Sequence, residues 1–284
     1  MLKQRVITAL ALLAVLLPAL FHSDPNAFAW VALGLMAAAA WEWGRLNRLP
    51  MAASLATAAL CVALCAAAWV AGWLTQRLTG LWAVAAAAWV LAAGLLLRRG
   101  PAGWGGIPLL LRWIGGVAAL WLTWLAVAQA RVLGINFLLS VLTLVWAADI
   151  AAYFAGRAFG QRIARSRLAP SISPGKSWEG AWGGWLGVLA LGAAWALIEP
   201  RWHPDGPSLY AQLATGGWWL MLLGLSALTA MSVAGDLIES LVKRSAGVKD
   251  SSGLLPGHGG VLDRIDALLP TLPMALLFAA LLSS

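Results

Sequence analysis

Nine runs of apolar residues divide this chain, at about 6–22, 27–44, 51–74, 78–97, 107–128, 132–156, 180–198, 214–238 and 264–282. Each is close to the ~20 residues that a helix needs to cross a bilayer. Few folds remain open to such a chain. In lipid the backbone must satisfy its own N–H and C=O groups, which a helix does within one segment. The expected fold is therefore an all-α, polytopic membrane bundle of about nine transmembrane helices. The second run is short enough to be tilted or locally interfacial. Composition agrees, with 62% hydrophobic residues, 11% charged and 19 Trp. A soluble domain is nearer half apolar and about a quarter charged. Abundant Gly and Ala suit close helix packing in lipid, and Trp suits the interfaces.

The charges orient the bundle. The chain carries 19 Lys+Arg against 11 Asp+Glu, a net +8. With the N-terminus in the cytoplasm and nine alternating spans, 16 of the basic residues fall on the cytoplasmic side and only Arg77, Arg131 and Arg201 on the other. Such an asymmetry is what the positive-inside rule requires. The basic residues sit at helix ends, facing anionic headgroups or phosphates. No basic face with interleaved aromatics exists, so nucleic acid is not expected as a partner. Lys3 and Arg5 before the first run, with Ala27-Phe28-Ala29 after it, also fit a signal peptide. An uncleaved first span is the preferred reading. Cys61 and Cys65 share one helix face without further Cys or His, which reads as small buried side chains rather than a metal or redox site.

Residues 1–284 read as a single integral membrane domain. Residues 1–130 are mainly scaffold, and 131–284 hold the polar chemistry, concentrated in 149–180 and 236–266. Asp149 lies inside an apolar run, where an ionisable group is costly and usually kept for a purpose. Tyr153, Gly156 and Gly160 share its helix face. Arg157, Arg162, Arg165 and Arg167 follow, then Ser171-Ile-Ser173-Pro-Gly-Lys176-Ser-Trp-Glu179-Gly180. Lysine supplies a point charge, and small residues let backbone N–H groups approach phosphate oxygens. Gly175-Lys176-Ser177 is not a P-loop. Pro170 stands where that motif needs its first Gly, and no strand is expected before it. Gly180, Gly183, Gly184 and Gly187 form small-xxx-small pairs that predict close packing of the seventh span.

The later stretch reads Gly235-Asp236, Glu239-Ser240, Lys243-Arg244, Lys249-Asp250-Ser251-Ser252, Pro256-Gly-His258-Gly-Gly260 and Asp263-Arg264-Ile-Asp266. Asp236, Glu239, Ser240 and Lys243 form one polar stripe at the end of an apolar helix. The glycine-rich loop that follows can fold back, so carboxylates from two helix ends can converge. Carboxylates beside Lys and Arg suit a hard divalent cation bridging phosphate oxygens. His258, without Cys or His companions, argues against zinc.

The string from Ser240 to Asp266 resembles the signature of the phosphatidate cytidylyltransferases, S-x-x-K-R, four residues, K-D, a spacer, then P-x-H-G-G-x-x-D-R-x-D, at every fixed position. Asp149 to Gly180 is similar to the family's other block, with Ser177 where Thr is usual. The resemblance implies transfer of the cytidylyl group of CTP to phosphatidate, giving CDP-diacylglycerol and pyrophosphate. It implies Mg²⁺, with a monovalent cation such as K⁺ beside it. Asp236 and Asp263 are the first candidates for metal ligands, followed by Asp250 and Asp266. Lys243, Arg244, Lys249, His258 and Arg264 are the catalytic candidates. Asp149, Tyr153, Arg157, Ser173, Lys176, Ser177, Glu179, Glu239 and Ser240 are expected at the substrates. The expected partners are CTP, phosphatidate, membrane lipids and a second copy of the chain in a homodimer. The expected location is a bacterial inner membrane with the site on the cytoplasmic side. A lipid transporter is the main rival, but such proteins usually show inverted halves with matching broken helices, and here both charged blocks lie late in the chain.

Overall fold

The computed structural model describes residues 2–164, 166–201 and 204–282, and Arg165 of the basic loop lies outside them. Among the described residues, nine helices are long and apolar enough to cross a membrane. The spans are α1 (Leu2–Phe21), α2 (Asn26–Leu46), α3 (Met51–Val70), α4 (Thr79–Gly105), α5 (Leu109–Leu133), α6 (Ile135–Phe159), α7 (Trp178–Ile198), α9 (Trp218–Ala246) and the pair α10 (Leu262–Ile265) and α11 (Leu268–Leu282). A short helix, α8 (Leu209–Thr215), precedes α9. The membrane bundle expected from the apolar runs is therefore the fold.

Contacts at the two ends show how the spans alternate. At one end the Arg5 Nε donates to the Gly257 carbonyl at 3.0 Å and the Thr8 hydroxyl to Pro256 at 2.9 Å. At the other, Arg131 donates to the carbonyls of Leu20 and His22 at 2.8 and 2.7 Å. There Asp205 also accepts from the first backbone N–H groups of α6. The core is aromatic as well as aliphatic. Trp82 and Trp124 are fully buried, and each indole N–H is satisfied, by Gln129 and by the Ala29 carbonyl. Cys61 and Cys65 are buried and free, as expected of small packing residues.

The structure departs from the apolar runs in several places. α4 continues past its membrane portion, turning at Gly100 (φ 64°) before Pro101. Proline suits the first turn of the new segment, where its missing N–H is not needed. α9 continues to Ala246, because its last turns carry polar residues that pack on protein rather than lipid, and Gly247 in the left-handed conformation (φ 79°) ends it. The basic loop after α6 is not irregular throughout. β1 (Arg167–Ala169) and β2 (Ser173–Ser177) pair as an antiparallel hairpin. Gly175 and Lys176 lie in β2 itself, not in a loop that follows a strand.

Candidate active site

Glycines set the distances between the helices that carry the polar residues. α7 lies on α6 along the stripe predicted from its small residues. A Cβ at Gly183 would stand 2.1 Å from the Ala155 Cβ, one at Gly184 2.8 Å from the Ala148 carbonyl oxygen, and one at Gly187 2.5 Å from the Ala151 Cβ. Gly235 does the same for α9 and α11, since a Cβ there would lie 2.9 Å from the Pro270 ring of α11 and 2.5 Å from the Asp266 carbonyl oxygen just before it. The β-hairpin then delivers Lys176 to the start of α7. Ser177 caps that helix, its Oγ accepting from the Gly180 N–H at 3.1 Å.

Between α6, α7, α9 and the hairpin lies a cavity of about 490 Å³, lined by Asp149, Tyr153, Arg157, Lys176, Ser177 and Asp236 among others. Lys176 forms an ion pair with Asp236, both side chains being partly exposed. The Ser240 hydroxyl reaches the other Asp236 oxygen at 3.4 Å. Arg157 donates to the Tyr153 hydroxyl at 3.3 Å, one helical turn away. Asp149, Asp236 and Asp266 are near enough to interact electrostatically, with Lys176 and Arg264 as cations opposite Asp149. Two sequence blocks more than 50 residues apart thus meet here, at one end of the bundle.

A second cluster joins the end of α9 to α10. The Lys243 ammonium lies 2.5 Å from Glu239 and 2.5 Å from Asp263, with all three side chains nearly buried. The second oxygen of Asp263 accepts from the Ser251 N–H, the Ser251 hydroxyl and the Gly260 N–H at 2.9, 2.8 and 2.7 Å. The expected single stripe is therefore divided. Residues three apart and four apart from one start diverge by about 100° on a helix. Asp236 lines the cavity with the Ser240 hydroxyl against it, while Glu239 turns to the other side and pairs with Lys243, which also reaches Asp263. Glu239 also lines a separate apolar cavity of about 420 Å³ between α4, α5 and α9.

The remaining expected residues are spread around these clusters. Glu179 is buried and accepts from the Ile163 and Ala164 N–H groups, which fixes the basic loop. Ser173 begins β2, paired with Ala169. His258 forms a tight turn through its N–H to the Leu255 carbonyl, and its Nδ1 is buried without a hydrogen-bond partner. Lys249, Asp250, Arg244 and Arg264 are exposed, and Arg244 reaches the Val248 carbonyl. One residue escaped the sequence reading altogether. Glu42, at the end of α2, is fully buried and bound to the signature loop. Its signal was present: a carboxylate within an apolar run, between Trp41 and Trp43, falls under the same rule that singled out Asp149.

Among the described residues, no three His, Cys, Asp or Glu side chains already converge into a metal cage. Mg²⁺ does not require one, since it is commonly held by one or two carboxylates with substrate phosphates completing the shell. Asp236, flanked by Asp149 and Asp266, fits such a partial set of hard donors. Asp263 has a different environment, because Lys243, Ser251 and Gly260 already occupy its oxygens.

The fold and the cavity define a polytopic helical membrane protein with basic and acidic side chains gathered at one end of the bundle. The chain belongs to the cytidylyltransferase family, whose model matches residues 3–282. It is 40% identical to the phosphatidate cytidylyltransferase of Pseudomonas aeruginosa, over 99% of this chain and 97% of that one. It is 39% identical to the phosphatidate cytidylyltransferase of Haemophilus influenzae, over 96% of each. The phosphatidate cytidylyltransferase of Bacillus subtilis is 37% identical over 53% of this chain and 49% of its own.

Proposed function

We propose that this protein transfers the cytidylyl group of CTP to phosphatidate, producing CDP-diacylglycerol and pyrophosphate. The observation that carries this reading is the cavity where Arg157 and Lys176 face Asp149 and Asp236. Its two cations suit phosphates, its carboxylates suit a hard metal ion, and its residues come from both blocks that resemble the family. The names of the full-length relatives agree.

The reaction forms a bond between a phosphatidate phosphate oxygen and the α-phosphorus of CTP. The bond from that phosphorus to the β-phosphate bridging oxygen breaks, and the electron pair leaves with pyrophosphate. A phosphomonoester has its second pKa near ~6, so the attacking oxygen is already mostly deprotonated at neutral pH. Catalysis is then positioning and charge neutralisation rather than base catalysis. Lys176 exchanges Asp236 for a substrate phosphate. Arg157, steered by Tyr153, supplies a second cation. Asp236, with Asp149 or Asp266, would hold Mg²⁺, which supplies charge neutralisation on the phosphates. Among the described residues, no side chain in the cavity is placed as a nucleophile with its own base, so on this reading transfer is direct, with inversion at phosphorus and a ternary complex.

The lipid reaches this site sideways. Ile150, Tyr153 and Phe154 on α6 are exposed beside the cavity, giving an apolar flank that suits acyl chains. The protein is a multi-pass membrane protein. The reading places it in a bacterial inner membrane with the cavity facing the cytosol, where CTP is found.

The test is transfer of label from CTP to lipid by the purified protein. Label on the α-phosphate should enter the organic phase only when phosphatidate is present, and chelating Mg²⁺ should stop it. Label on the γ-phosphate should stay in water. Failure of α-label to enter lipid under these conditions would refute the reading.

A further inference from the structure

Among the described residues of the first half of the chain, Glu42 is the side chain that holds the signature loop at both ends. Its Oε1 accepts from the Ser252 hydroxyl at 2.5 Å and the Val261 N–H at 2.9 Å. Its Oε2 accepts from the Ser251 hydroxyl at 3.1 Å and the Leu262 N–H at 2.8 Å. Ser251 and Ser252 open the loop, and Val261 and Leu262 close it into α10. Glu42 is 0% exposed. Gly260 is shaped around it, since a Cβ there would lie 2.3 Å from Oε1 and 2.0 Å from the Ser251 Oγ.

The loop is gripped from its other side by Asp263, which binds the Ser251 and Gly260 N–H groups and, through its other oxygen, Lys243. Ser251 therefore stands between two carboxylates, one from α2 and one from α10. We infer that Glu42 is a positioning residue for the transfer reaction, setting the loop 251–262 and through it the Lys243–Asp263 pair and the entry of α10, which carries Arg264 and leads to Asp266. This rests on the cytidylyl-transfer reading for its kinetic consequence, but not for its structural one.

The chemistry demands a carboxylate. Each oxygen of Glu42 accepts from one backbone N–H, and those two donors cannot turn away. An amide has the same shape but an acceptor on one atom only, so glutamine would set an NH₂ against the N–H of Val261 or Leu262. Buried donors left facing another donor are costly. Glu42→Gln changes no volume, so any loss it causes reports on acceptor number rather than packing.

The experiment compares wild type with Glu42→Gln in purified full-length protein, reading kcat and KM for CTP in the transfer assay and amide hydrogen exchange over 250–262. The expected result is a kcat at least tenfold lower, a KM for CTP within about threefold, and faster exchange over 250–262 with exchange in α6 unchanged. A Glu42→Gln protein with more than half the wild-type kcat, or one whose loop exchange is unchanged, overturns the inference. Should that variant not fold, Ser252→Ala removes one donor and leaves the carboxylate and backbone intact. It should quicken exchange in the same segment and lower kcat a few-fold, and unchanged exchange there counts against the inference. If wild type itself transfers no label, the functional reading fails, while the exchange comparison still decides whether Glu42 sets the loop.

Discussion

Lys176 and Lys243 both face carboxylates, and their surroundings give them different work. Lys176 lies in the open cavity, ion-paired with Asp236, and both are about three-tenths exposed. A pair so placed is weak and can be exchanged for a substrate phosphate. Lys243 lies between Glu239 and Asp263 with side-chain exposures of 11%, 5% and 5%. Removing it strands two buried carboxylates, a loss on the order of 3–5 kcal/mol. The expected outcomes therefore separate. Lys176→Ala should leave thermal unfolding in detergent near that of wild type and raise the KM for CTP at least tenfold. Lys243→Met should lower the unfolding midpoint markedly or abolish folded yield. Equal melting of the two variants would show that burial does not distinguish these lysines.

At the scale of elements, the site depends on how closely α7 can approach α6 and α9 can approach α11. The spacing of Gly180, Gly183, Gly184 and Gly187 made the first approach readable from the sequence. Its consequence, that Lys176 meets the helix bearing Asp236, was not, because spacing within one helix says nothing about which neighbour it chooses. Gly184→Leu should push α7 off Ala148, where the obstacle is backbone. Overpacking of this kind costs about 1–3 kcal/mol, so the variant should melt lower and transfer at least tenfold more slowly. Wild-type activity in it would show that the cavity tolerates a wider gap. The hairpin of β1 and β2 escaped the sequence reading because three and five residues with Pro and Gly carry no alternating pattern. Glu42 escaped because the first five spans were read as scaffold from their overall apolarity, and one charge does not change an average.

Across the whole molecule, the apolar runs were enough to foresee nine spans among the described residues, and their alternation to foresee which ends lie together. The structure brings Arg5 to Gly257, Glu42 to Leu262 and Lys176 to Asp236 at one end, while Arg131 binds near His22 at the other. By the positive-inside rule, the basic residues predict an N-terminus in the cytoplasm. A reporter fused after residue 284 should lie outside the cytoplasm, and a Lys249→Cys label should be reached only from the cytoplasmic side. A cytoplasmic C-terminal reporter would contradict that orientation. The central claim is that the cavity between α6, α7 and α9 is where CTP meets the lipid. Its most direct test is cytidylyl transfer to phosphatidate by purified Asp236→Asn, a change that keeps shape but removes the charge facing Lys176. The expected result is a folded protein whose rate is at least tenfold lower, about 1.4 kcal/mol or more of lost transition-state stabilisation. A folded Asp236→Asn protein with wild-type transfer would place the reaction elsewhere in the molecule.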